Sequence, residues 1–141
     1  MVDRDVVHAK LDTIRRCLRR IEEAREPDRG LASLDAEDIT LLNLQRAVQA
    51  AIDLAAHVVS TEKLGTPEKM ASLFPILRDH GVIEAPLALR LQKIVGFRNI
   101  AVHEYQDIDP EIVESILARH LGDLTDFGQV VIGYYKLEPS R

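Results

Sequence analysis

Between Leu41 and Val59 the chain carries Leu41, Leu42, Leu44, Ala47, Val48, Ala51, Ile52, Leu54, Ala55, Val58 and Val59, with neither glycine nor proline among them. A helix turns by about 100° per residue, so these side chains point in nearly every direction around its axis. A helix of that kind has to be wrapped by others or caught in an interface. The segment therefore predicts the central helix of a bundle. Ser33 or Asp35 offers a side-chain acceptor for the free N–H groups at its start, and it runs to about Ser60. Against this background Arg46, Gln49, Asp53 and His57 fall on one side of the cylinder, at spacings of three, four and four. Such a stripe is either a solvated strip or a set of charges in need of partners.

The remaining segments supply the wrapping. From Asp3 to Glu26, Val7, Leu11, Ile14, Leu18 and Ile21 alternate at steps of four and three, the pattern of a helix with one buried face. Arg15, Arg16, Arg19 and Arg20 lie mostly off that stripe, as a solvated face or a local basic patch. Pro27 and Gly30 mark a loop. After the break at 61–67, a short element carries Met70, Leu73, Phe74 and Leu77 and ends near His80-Gly81, with Pro75 keeping it brief. A fourth helix starts around Pro86 and turns Leu87, Leu91, Ile94, Val95 and Ile100 inward. A fifth, capped by Asp109 with Pro110 in its first turn, continues through Ile112, Val113, Ile116, Leu117, Leu121, Leu124, Phe127 and Val131 toward Tyr134. No strand-length alternation interrupts this reading. The expected fold is all-α, an up-and-down helical bundle of four long helices plus one short helix, forming a single domain over residues 1–141.

Composition removes several functional classes. The 23 acidic and 18 basic side chains leave a net charge of -5, so any polyanion has to be met by a local patch. Aromatic residues make up 4% and tryptophan is absent, which excludes a stacked-ring platform for single-stranded nucleic acid. One cysteine, Cys17, excludes an internal disulfide and a Cys-based zinc site, and its place between Ile14 and Leu18 reads as a packed thiol. No apolar run approaches the roughly 20 residues of a membrane span, so the reading is a soluble, cytoplasmic protein. His8, His57, His80 and His120 lack metal-ligand spacing, and there is no glycine-rich phosphate loop.

The chemistry concentrates in "RNIAVHEY", residues 98 to 105. Histidine moves protons near neutral pH, and the arginine fork holds phosphate oxygens as charge builds on them. Arg98, Asn99 and His103 together suit attack on a phosphodiester without a metal or cofactor. Arg and His near a helix end are equally common as partners of the helix dipole, so the residues alone leave both readings open. Geometry adds a constraint. Arg98 and Tyr105 share a helix face, whereas Arg98 and His103 point about 140° apart on a regular helix. Either the helix distorts before His103, or two copies of the chain complete each other's site across a two-fold axis.

"RNIAVHEY" also matches R-x4-H-x-Y, and so resembles the motif of HEPN domains (higher eukaryotes and prokaryotes nucleotide-binding) in the form of the HepT-type toxins. The similarity extends to "LQRAVQAAIDLAAHVVS", "GTPEKMASLFPILRDHGVI" and "LQKIVGFRNIAVHEYQDID", in order along the chain. The resemblance implies a helical homodimer with the motif at its interface, acting as a metal-independent endoribonuclease on RNA, on tRNA or mRNA. It implies Arg98 at the phosphate, His103 as general acid or base, Asn99 assisting, and Asp53 orienting the basic pair. It further implies that Tyr105 receives AMP from a partner MNT nucleotidyltransferase, the antitoxin. A non-catalytic helical module that binds a nucleotide or a protein partner is the alternative.

Overall fold

The structure, a computed structural model, describes residues 2–26, 33–103 and 110–137, and of residues 33, 100–103 and 110 the backbone alone. The described helices are α1 (Arg4–Ala24), α2 (Ser33–Thr61), α3 (Leu73–Asp79), α4 (Ala85–His103), α5 (Pro110–Arg119) and α6 (Leu121–Tyr134), with a single 3-10 turn, Met70–Ser72, before α3. The expected cap at Asp109 and the expected loop at Pro27 and Gly30 lie outside the described residues. Among the described residues there is no strand, and no helix is long and apolar enough to cross a membrane.

α2 is central, as its pattern demands: it packs on α1, α3, α4 and α6. Leu44, Ala47, Val48, Ala51, Leu54, Ala55 and Val58 are all buried. The order of the cross-contacts fixes the directions. Asp3 meets His57 and Lys10 meets Asp53, so α1 and α2 are antiparallel. Leu11 faces Gly128 and Arg25 pairs with Glu114, so α1 also runs against α5 and α6.

Local chemistry explains the element ends. Asp3 caps α1 by accepting the Asp5 N–H at 2.9 Å and the Val6 N–H at 3.4 Å. Pro75 is the third residue of α3, where its missing N–H has no intrahelical partner to lose. α3 then closes on Gly81 at φ +75°, with the Val82 N–H reaching the Leu77 carbonyl at 2.9 Å. α2 and α6 end in the same way on Lys63 and Lys136, two non-glycine residues in the left-handed region at φ 54° and 53°.

One helix expected over 110–134 is divided at His120, whose ψ of -7° at φ -119° departs from the helix. The cause is tertiary. Asp123, buried in the first turn of α6, accepts from Arg90 Nε of α4 at 2.9 Å, and its other oxygen lies 3.0 Å from His120 Nδ1. A carboxylate anchored on both oxygens sets where α6 begins, so α5 is free to take a separate direction.

The core continues from α2 to Phe74 and Phe127, packed edge to face at 5.6 Å between centroids, and to Ile14, Leu77, Leu91, Ile94 and Leu124. Cys17 is buried in the α1 stripe, as expected of a packed thiol, while Leu18 is only half-buried. α6 approaches α1 closely at Gly128: a Cβ there would collide with Leu11 Cδ1 and stand 3.2 Å from its Cγ. Overpacking of a full core costs about 1–3 kcal/mol, against a helix-propensity gain for alanine of roughly 1 kcal/mol. Gly128→Ala is therefore expected to destabilise by about 0–2 kcal/mol in the native background and to become neutral or stabilising beside Leu11→Ala. Thermal melts of the four proteins check this. Strict additivity would mean that the two helices do not approach as described.

Candidate functional site

α4 is a helix because Pro86 sits in its first turn and Leu87, Leu91 and Ile94 recur at steps of four and three, each of them buried. The next step of that stripe is Arg98. The cation therefore occupies the register in which the fold places core residues, and its aliphatic stem continues the buried face. Arg98 is half-buried. Its Nη1 lies 3.3 Å from Asn99 Oδ1 and 3.9 Å from Met70 Sδ, on the 3-10 turn before α3. Its Nε is buried with no hydrogen-bond partner, and it makes no ion pair, both among the described residues. Guanidinium carries five donors and cannot lose its proton, so this arrangement suits an oxyanion arriving from outside.

Asn99 stands beside Arg98 on the exposed side of α4. The backbone of α4 stays helical through His103, so no helix distortion separates Arg98 from His103. The His103 side chain and all of Tyr105 lie outside the described residues. Asp53 is not brought to Arg98 within the chain: its Oδ2 takes Lys10 Nζ at 3.1 Å, and its Oδ1 accepts from Gln49 Nε2 at 2.8 Å. Asp53 of the α2 polar stripe thus finds its partner in α1. His57 belongs to the same seam, its Nε2 accepting the Asp3 N–H at 3.0 Å. Among the described residues no group of three His, Cys, Asp or Glu side chains is placed to hold a metal ion.

Two polar residues of α2, Thr40 and Asn43, are buried outside the sequence pattern. Asn43, flanked by leucines, is 1% exposed; its Nδ2 donates to the Ile39 carbonyl at 2.8 Å. An amide inside an apolar run was the available signal.

The profile of the family described as "Ribonuclease HepT-like" matches residues 14–131. The chain belongs to this family. As a HepT-like chain it is 36% identical over 128 residues to the mRNA nuclease HepT of Shewanella oneidensis, covering 90% of its own length and 96% of the relative's. It is 34% identical over 110 residues to the tRNA nuclease HepT of Aphanizomenon flos-aquae, covering 77% and 75%. The tri-AMPylated Shewanella oneidensis HEPN toxin, solved in complex with MNT antitoxin, superposes with a TM-score of 0.83 at 35% identity, over 92% of this chain and 98% of that one. YutE from Bacillus subtilis, at 19% identity and a TM-score of 0.82, shares the fold alone. The HEPN resemblance carried by residues 98–105 and the all-helical HepT-like bundle therefore both stand.

Proposed function

We propose that this chain is the ribonuclease toxin of a toxin–antitoxin pair, cutting RNA without a metal at a site built on α4. The observation that carries the reading is Arg98: a cation held at the end of a core stripe, its Nε buried and unpartnered among the described residues. A phosphodiester supplies the missing acceptors. Arg98 would then stabilise the charge that builds on the phosphate oxygens, with the low-dielectric end of the core strengthening that attraction. His103 moves the proton from the attacking ribose 2′-hydroxyl or onto the leaving oxygen. Asn99, already beside the guanidinium, orients it. Asp53 acts at one remove, as a positioning residue that ties α2 to α1 through Lys10.

On an undistorted α4, Arg98 and His103 diverge by about 140°, so one chain does not aim both at one phosphate. A homodimer with this segment at its two-fold axis resolves the conflict, each copy lending one group to the other's site. Tyr105, seven residues after Arg98 in the motif, is the point at which a partner MNT nucleotidyltransferase adds AMP. Added nucleotides bring bulk and negative charge beside Arg98 and compete with RNA for it. The setting is the cytoplasm, where RNA and a nucleotide donor meet.

The purified chain is expected to degrade single-stranded RNA in excess EDTA. Its intact mass is expected to rise by one or more AMP groups when it is made together with the partner nucleotidyltransferase, and to stay unchanged for Tyr105→Phe. RNA loss that EDTA abolishes would overturn the metal-free mechanism. Full neutralisation of toxicity at unchanged mass would replace modification by simple binding.

A further inference from the structure

Lys10, Arg16 and Arg20 on α1 and Arg46 on α2 line a cleft of about 370 Å³ between the two helices; neither Arg98 nor Asn99 belongs to its lining. The carboxylate in the lining, Asp53, is taken by Lys10 at 3.1 Å. Arg16, Arg20 and Arg46 are exposed and make no ion pair among the described residues. Yet they converge. All three line the same cleft, together with the buried Cys17, whose thiol burial pushes above its ordinary value while the charges of Arg46, then Arg16 and Arg20, pull against it. Asn43 lines the same cleft. It is 1% exposed, and its Oδ1 is buried with no hydrogen-bond partner among the described residues.

Like charges held together repel, and an orphaned buried acceptor is costly. A ligand that relieves both must be anionic at the rim and a hydrogen-bond donor at the floor. A ribonucleotide unit has this make-up, with phosphate for the arginines and hydroxyl or base amino groups for Asn43. We propose that the α1–α2 cleft is a second RNA-binding subsite, separate from the α4 motif, where Arg16, Arg20 and Arg46 grip the phosphates of the strand and Asn43 accepts from its nucleotide. This inference rests on the ribonuclease reading, and it locates the positive patch that a chain of net charge -5 requires.

The test uses the full-length His103→Ala protein and a fluorescent single-stranded RNA, titrated over a range of KCl concentrations. Each phosphate contact contributes about 0.7 to the slope of log affinity against log salt for single strands, so replacing all three arginines by glutamine lowers that slope by about 2. Arg16→Gln and Arg46→Gln singly lower it by about 0.7 each. These side chains are exposed, and circular dichroism of the singles verifies the fold. An unchanged slope with RNA binding intact overturns the subsite and leaves the ribonuclease reading standing. No RNA binding by the His103→Ala parent overturns both. An unchanged slope together with lost capture of the partner nucleotidyltransferase reassigns the cleft to that protein, and equally overturns the proposal.

Discussion

Arg98→Ala and His103→Ala proteins, each inactive alone, are expected to cut RNA again when they are denatured together and refolded as a mixture. The loss in each single variant is expected to be about 10²- to 10⁴-fold, the range for removing a charge-stabilising donor or a general acid–base group. Recovery follows from the continuity of α4. The helix backbone reaches His103 without a break; regular helical spacing sets positions 98 and 103 about 140° apart, and the proposed homodimer takes Arg98 from one copy and His103 from the other. In a mixed dimer one of the two sites then has both groups intact, and random mixing returns about a quarter of the native activity. A site built within one chain gives no recovery, since every copy lacks one group. The reciprocal mixture separates the cases again. Native protein mixed with the Arg98→Ala/His103→Ala double variant has no intact site in its mixed dimers if the site is shared, and one if it is not.

Phe127→Ala is expected to lower stability by about 3–5 kcal/mol, the usual cost of truncating a buried aromatic ring. Total stabilities lie at about 5–15 kcal/mol, so this removes a large share of the whole. The ring is fully buried and packs edge to face on Phe74, which ties α6 to α3 across the central α2. No neighbouring loop can fill the space, because both rings sit between helices. A fall in Tm of about 10–20 °C is the corresponding signal for a chain of this size. Ile112→Ala, at an exposed position of α5, is expected to change stability by no more than about 0.5 kcal/mol. A Phe127→Ala protein that melts with the native one would mean that α6 does not dock on α3 as described.

Much of this fold is written in periodicity. The apolar run of α2 makes it central because no other placement buries so many directions at once, and the alternating stripe of α1 names its own buried face. The elements that resisted reading are those decided by a distant partner. Gly122, two residues after His120, is a weak signal of the break; the Asp123 carboxylate that anchors it is held in part by Arg90, 33 residues away. The polar stripe of α2 could be a solvated strip or a site until Lys10 and Asp3 arrive from α1. Gly128 reads as an ordinary weak point in a helix, and only the approach of Leu11 gives it a purpose. At the site, Arg98 falls four residues after Ile94, so its place at the end of the core stripe was available from spacing. The roles proposed for His103 and Tyr105 come from the family resemblance, since spacing alone left them open.

The position of Arg98 sets fold and function against each other. Leu87, Leu91 and Ile94 lead a row in which any apolar side chain would serve the bundle better than a guanidinium with a buried, unpartnered Nε. Selection for thermal stability alone would replace that arginine early. On the proposed ribonuclease function, a collection of hardened variants would then contain well-folded proteins that no longer cut RNA. On the proposed role of Arg98, retention of arginine at this position is thus a mark of continued use, at a residue that the fold itself has reason to discard.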